Sequence, residues 1–202
     1  MMDTVYLGPR WVKLYAVHWM PQPPKIHADE VLAQALALLE EGGEGSVTVR
    51  AVAARLGVTP NALYWHFTDR EALLGALAAR GMGELRDALA QAIPPHARAL
   101  TDLAPVAAAY LHFARTRPHL YALMTAPHAD PRISGELWAF VLDLLTPRLG
   151  ARRAAEAGVA LWAYLHGVAG LEAMRPFHGG KPESGVEAGL RALLRGLEQE
   201  DA

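Results

Sequence analysis

The chain has 202 residues, a formal net charge of −2, 52% hydrophobic and 20% charged residues, and no cysteine. That length carries a full core and one or two domains, and the composition is that of an ordinary globular protein, not of a generally basic nucleic-acid binder. The missing cysteine excludes disulfides, thiolate catalysis and Cys-ligated zinc and fits a reducing cytoplasm. Ala, Leu, Glu and Arg dominate and β-branched runs are rare, so an all-α fold is expected. The longest charge-free apolar run, Ala157–Leu171, is shorter than the ~20 residues of a spanning helix and reads as a buried one.

Residues 1–24 form an N-terminal extension that ends in ProGlnProPro, a breaker. It carries Trp11, Tyr15 and Trp19 and lacks the apolar run of a secretory signal. Two readings stay open: a segment packed on the body, or, for residues 1–19, sequence upstream of a natural start at Met20. From Ala28 to Glu41, Val31, Ala35, Leu36 and Leu39 predict a helix, with Asp29 and Glu30 at its positive end. Ala51, Val52, Ala54 and Leu56 predict a second helix, N-capped by Thr48 and stopped at Gly57. Thr59 as N-cap and Pro60 at the first helical position open a third, with Leu63 and Phe67 inward. Thr68 to Glu71 reads as a capping box that opens a fourth, running to about Ala92. Leu73, Leu74, Leu77, Met82 and Leu85 fit one of its faces. ProProHis (94–96) is the strongest break. Further helices are expected over 98–116, 120–125, 133–149, 151–174 and 186–197. ArgProHis (117–119), AlaProHisAlaAspPro (126–131) and GlyGlyLysProGluSerGly (179–185) separate them. No period-2 strand, repeat or low-complexity tract appears.

Residues 47–74 read VTVRAVAARLGVTPNALYWHFTDREALL. Two short helices joined by a Gly-containing turn form the unit that lays a second helix in the DNA major groove. The stretch resembles the DNA-binding signature of the TetR (tetracycline-repressor-like) family, most tellingly in ArgLeuGlyVal (55–58), LeuTyrTrpHisPhe (63–67) and the run 69–73. The resemblance implies a homodimeric, all-helical transcription regulator. Its N-terminal helix-turn-helix module would occupy 25–80, and a C-terminal ligand-binding and dimerisation domain 81–202. Trp162 with LeuHisGly (165–167) is similar to the Trp-His-Gly subtype of such C-terminal domains.

Site-specific reading needs phosphate contacts for register and base contacts for sequence. Asn61, the only asparagine in the chain, can pair bidentately with adenine, and Ala62 can pack on a thymine methyl. Family members usually carry Thr or Ser at the position of Ala62. Tyr64, Trp65 and His66 cannot all be buried when Leu63 and Phe67 own the inner face. In the family the matching Tyr and His hold phosphates. Thr48, Arg50, Thr59, Pro60 and Arg70 stand at helix starts, where unsatisfied N–H groups attract phosphate. Arg55 has a structural reading as a solvated charge.

Tyr110, Phe113, Tyr121, Met124, Trp138, Trp162, His166 and Met174, with Phe140, Tyr164 and Phe177, put large side chains on the middle helices. Singly they read as core. As a set they can line an apolar pocket with a few polar handles. The resemblance places a small-molecule effector there and a palindromic double-stranded DNA operator at the heads. The homodimer is expected through the last two long helices, where Gly167 and Gly170 allow close approach. No cofactor or metal is expected: the nine His show no HisXXXHis or HisGluXXHis spacing, and His112, His119 and His128 cluster only in sequence. The reading is a non-enzymatic, cytoplasmic, nucleoid-associated regulator, and the resemblance, not any residue, makes a repressor the expectation over an activator. A helical small-molecule-binding or adaptor protein without DNA activity is the alternative.

Overall fold

In the computed structural model the described residues are 5–7, 10–12, 26–126, 135–174 and 182–199. Tyr15, Trp19, Met20, His128, Ile133 and Phe177, and with them the question of a start at Met20, lie outside that set. Ahead of the helical body two short strands, β1 (Val5–Leu7) and β2 (Arg10–Val12), pair antiparallel with Val5 opposite Val12. They leave the all-α class of the described body unchanged. Three residues each are too few to show a period, although Val, Tyr and Trp favour extended backbone.

The head comprises α1 (Ala28–Gly42), α2 (Val49–Leu56) and α3 (Pro60–Leu63), with the start of α4 (Arg70–Gln91). The His27 N–H donates to the Glu30 carboxylate at 3.2 Å and secures the first turn of α1. Val31, Ala35 and Leu39 repeat at helical spacing, and all are buried, together with Val47, Val52, Leu63, Leu73 and Leu77. A three-residue 3-10 turn, Glu44–Ser46, leads to Thr48. Gly57 ends α2 with φ 66 and ψ 29, the left-handed conformation that glycine reaches without a Cβ penalty. Regular helix in α3 stops at Leu63, and Tyr64, Trp65 and His66 continue as a hydrogen-bonded turn.

The cap of α4 differs from expectation. Asp69, one residue after Thr68, is the N-cap, and its carboxylate accepts from the Ala72 N–H at 2.7 Å. A carboxylate has two acceptor oxygens, so Asp69 displaces the neighbouring hydroxyl from that role.

The body contains α5 (Ala104–Thr116), α6 (Pro118–Met124), α7 (Gly135–Met174) and α8 (Pro182–Gln199). Within α7 the backbone breaks at Gly150, with φ 74 and ψ 158, and Pro147 removes a donor just before it. The two halves, 135–149 and 151–174, therefore behave as the separate helices that the sequence indicates. Helix α8 starts at Pro182, so residues 182–185 are helical and not loop; proline suits a first helical position.

Long side chains tie the body together. Arg115 binds Glu172 through two N–H donors at 2.6 and 2.7 Å, joining α5 to the second half of α7. Arg148 donates to the carbonyls of Leu144 and Ala97. Tyr164 donates to the Val186 carbonyl at 2.6 Å and lies against Gly189, where a Cβ would stand 2.5 Å from its hydroxyl.

Helix α4 belongs to both halves. Leu73, Leu74 and Leu77 are buried in the head, while Gly81, Leu85 and Leu89 are buried in the body. Arg117, in the turn before α6, reaches Glu40 of α1 at 3.0 Å and Glu84 of α4 at 3.3 Å, a second tie between head and body.

Candidate functional site

The head presents one polar and aromatic face. Asn61, Tyr64, Trp65 and His66 are all exposed, Trp65 at 85% and Tyr64 at 51%, while Leu63 beneath them is buried. Residues 59 and 60 are exposed and Ala62 is half-buried. The Thr48 hydroxyl accepts from the Ala51 N–H at 3.1 Å. That use leaves its O–H free to donate to a phosphate oxygen. Thr59 stands at the N-cap of α3, but its side chain makes no cap bond. Arg50 is exposed on the first turn of α2.

Arg70 is half-buried and already engaged. Its Nε–H donates to the Val47 carbonyl at 2.8 Å and Nη2 to the Glu44 carbonyl at 2.7 Å, with the Glu44 carboxylate at 3.4 Å. The guanidinium satisfies carbonyls of the segment between α1 and α2, which gives Arg70 a structural role. Arg70→Ala is expected to destabilise the fold by about 2 kcal/mol, because carbonyl partners of a charged donor are left unpaired. Thermal unfolding measures this; an unchanged midpoint with weakened DNA binding would place Arg70 on the DNA surface. Arg55 is likewise occupied by a two-pronged pair with Glu41 of α1, which lowers the Glu41 pKa, chiefly through the hydrogen bond.

A cavity of about 510 Å³ lies in the body. Its wall includes Tyr110, Tyr121, Met124, Trp138, Phe140 and Trp162 among the residues singled out from the sequence. Phe113 is buried but faces elsewhere in the core. Met174 is 70% exposed near the end of α7 and lines no part of the cavity, which overturns its placement there. Its helix has left the cavity at Leu165, more than two turns earlier, so an apolar side chain at that height meets solvent. His166 is exposed and outside the wall, but its Nδ1 lies 2.7 Å from the Tyr121 hydroxyl. That hydroxyl in turn lies 2.9 Å from the Tyr110 hydroxyl, forming a three-member chain. Burial raises the pKa of both phenols, so both hydroxyls stay un-ionised at physiological pH.

Much of the wall is aliphatic, including Leu103, Val106, Leu137, Val141, Leu144, Leu161, Leu165 and Leu194. Nothing distinguishes such residues from core in a sequence. More informative are Met82, Leu85 and Leu89 of α4, which form part of the wall. Their apolar stripe is visible in the sequence, but its continuation from head to cavity is not. Gly158 makes room for Trp138: a Cβ there would lie 2.9 Å from the indole edge. Gly81 does the same for α6, since a Cβ would lie 2.5 Å from the Met124 sulfur and 3.0 Å from Leu120.

A second surface is apolar. On the second half of α7, Val159, Trp162, Leu171 and Met174 are exposed. Gly167 and Gly170 lie between them, and a Cβ at either would meet nothing within 4 Å. Exposed small residues Gly185, Ala188, Ala192 and Gly196 repeat along α8. Among the described residues no helix is long and apolar enough to cross a membrane. Nor, among them, do three or more His, Asp or Glu converge as metal ligands.

This head-and-body arrangement is the one found in helical bacterial regulators. The family description "Bacterial regulatory proteins, tetR family" matches residues 31–77, and "Tetracyclin repressor-like, C-terminal domain" matches residues 103–197. A protein of unknown function from Rhodococcus sp. RHA1 superposes with TM-score 0.73 at 30% identity, over 88% of this chain and 100% of that one. A TetR variant from Acinetobacter baumannii AYE, crystallised with minocycline, gives 0.66 at 25% identity over 88% and 99%. An uncharacterized HTH-type transcriptional regulator of Mycobacterium tuberculosis is 27% identical over 164 residues, 78% of this chain and 75% of that protein. The class A tetracycline repressor from transposon 1721 in Escherichia coli is 47% identical over 60 residues, 30% of this chain. That match spans only 28% of the repressor's own length. The chain belongs to the TetR family of bacterial regulatory proteins.

Proposed function

We propose that the protein is a dimeric, one-component transcription regulator, a repressor that two heads hold on a palindromic operator and that a small apolar molecule releases. The division is 25–80 for DNA binding and 81–202 for ligand binding and dimerisation, with α4 common to both. That sharing is the observation that carries the reading. One end of α4 is packed into the head and its middle lines the cavity, so an occupant that displaces Met82, Leu85 or Leu89 moves the head on the same helix. A ligand that fits one head spacing better shifts the DNA-binding equilibrium by its differential affinity.

On the DNA, Thr48, Arg50 and Thr59 with Pro60 at the start of α3 set the register on phosphates, joined by Tyr64 and His66. Asn61 and Trp65, with Ala62, face the bases. Such a role places the protein with the chromosome in the cytoplasm. Two heads are required because one short recognition element buries too little for nanomolar affinity. Pairing through the second half of α7 and α8 covers the apolar stripe of Val159, Trp162, Leu171 and Met174.

The test is selection of duplexes from a random pool, with the winning site titrated at two salt concentrations. A palindrome with a steep salt slope is expected. No enrichment by folded, dimeric protein would leave a ligand-binding or adaptor role. On the selected site, Asn61→Ala is expected to cost about 1–3 kcal/mol and relax one base position. Equal losses on the selected and a random duplex would end its role in base reading.

A further inference from the structure

The cavity is unusually uniform in chemistry. Among its described lining residues there is no Asp, Glu, Lys, Arg, His, Asn or Gln. An ionised group entering it would meet no counter-charge among those residues, and is disfavoured wherever the wall takes its water away. The hydroxyl groups of two tyrosines on the wall meet in one corner. There the Tyr110 and Tyr121 hydroxyls contact one another at 2.9 Å, beside Trp162. The Thr125 hydroxyl donates its proton to the Tyr121 carbonyl at 2.8 Å, so it has only acceptor capacity left.

We propose that the cavity takes an uncharged, mostly hydrocarbon or aromatic molecule with a single hydroxyl-type head, which docks on the Tyr110–Tyr121 pair. This deepens the effector reading above and rests on it. The assignment separates this chain from the ligand class named for several of its relatives. A tetracycline carries many polar and ionisable groups around its ring system, and the described wall offers them no charged side chain.

The geometry also says why the head is a hydroxyl. With His166 Nδ1 accepting from Tyr121, Tyr121 accepts from Tyr110, and the phenol oxygens keep spare lone pairs toward the cavity. With Nδ1 protonated the chain reverses, and Tyr110 has its O–H to give. Either direction suits a hydroxyl, which both donates and accepts. A pure acceptor such as an ether or ester fits one direction only. His166 is here a positioning residue, because it acts through Tyr121 and lies outside the cavity.

The test uses the full-length protein and four probes: 4-butylphenol, butylbenzene, 4-butylbenzoate and magnesium–tetracycline. Binding is read by calorimetry, and release by displacement of a labelled selected operator. The phenol is expected to bind about tenfold more tightly than butylbenzene, the value of one well-made hydrogen bond. The benzoate is expected to be weaker than the phenol by roughly a hundredfold. Tyr121→Phe and Tyr110→Phe should each erase most of the phenol's advantage and leave butylbenzene unchanged, a pattern that a folding defect would not give. Benzoate or magnesium–tetracycline binding more tightly than the phenol overturns the proposed class. So does equal binding of phenol and butylbenzene, or a phenol advantage that survives both variants. A phenol that binds as expected but leaves the operator complex intact supports the ligand class and instead sinks the effector reading on which it was built.

Discussion

Gly81→Val is expected to lower the stability of the folded chain by about 3 kcal/mol, an overpacking cost. Helix propensity alone would favour the substitution slightly, because glycine is the poorer helix former. The sign is set by space. A Cβ at position 81 would sit 2.5 Å from the Met124 sulfur and 3.0 Å from Leu120 Cγ and Cδ1. Leu120 is fully buried and cannot retreat. Met124→Ala alone should also destabilise by about 3 kcal/mol, through the cavity it opens. Combined, the two should cost less than their sum by about 2 kcal/mol, since the valine introduced on α4 refills part of the space vacated at 124. Urea unfolding of the parent, the two single variants and the double variant measures the cycle. Strict additivity would show that α4 and α6 do not meet as described, and would remove the physical basis for coupling cavity to head.

Gly167→Arg is expected to convert the protein to a monomer at micromolar concentration and to weaken operator binding by at least about a hundredfold, because the two heads then bind independently. Its discriminating value lies in what Gly167 touches. Within one chain a side chain grown there meets nothing within 4 Å, and the residue is exposed. The single chain therefore has no reason to unfold, and far-UV circular dichroism should show its helix content unchanged. Sedimentation would show the change of mass. A variant that stays dimeric and binds operator normally would place the subunit contact on another surface.

The helices are legible in the sequence because apolar residues recur at helical spacing and Gly and Pro punctuate them. Gly57, Pro60 and the break at Gly150 stand where the residue types predict them. The exposed face of Asn61, Tyr64, Trp65 and His66 is legible by exclusion, since Leu63 and Phe67 claim the inner side. The structural role of Arg70 is not legible, because nothing in the sequence shows that the carbonyls of Glu44 and Val47 come within its reach, across more than twenty residues. Similarly, the aromatic residues of the body identify one side of the cavity, but Met174 and Phe113 look the same in sequence as Trp138 and Met124. Only tertiary packing tells a side chain that walls an empty space from one that fills a core. At the start of α4 the sequence places the cap one position early, a local competition in which the Asp69 carboxylate, the stronger acceptor, prevails over the Thr68 hydroxyl.

The second half of α7 is a thin partition. Val159 and Trp162 line the cavity, yet both are more than half exposed, and His166, Gly167 and Gly170 follow along the outer side. If a partner subunit covers that side, each cavity is sealed in part by the neighbouring molecule. Effector affinity then becomes a function of protein concentration: dilution opens the wall and weakens binding, while an occupant holds the pair together by mass action. Titrations at different protein concentrations would return different dissociation constants for one and the same ligand, and their trend would measure how much of the seal the second copy supplies.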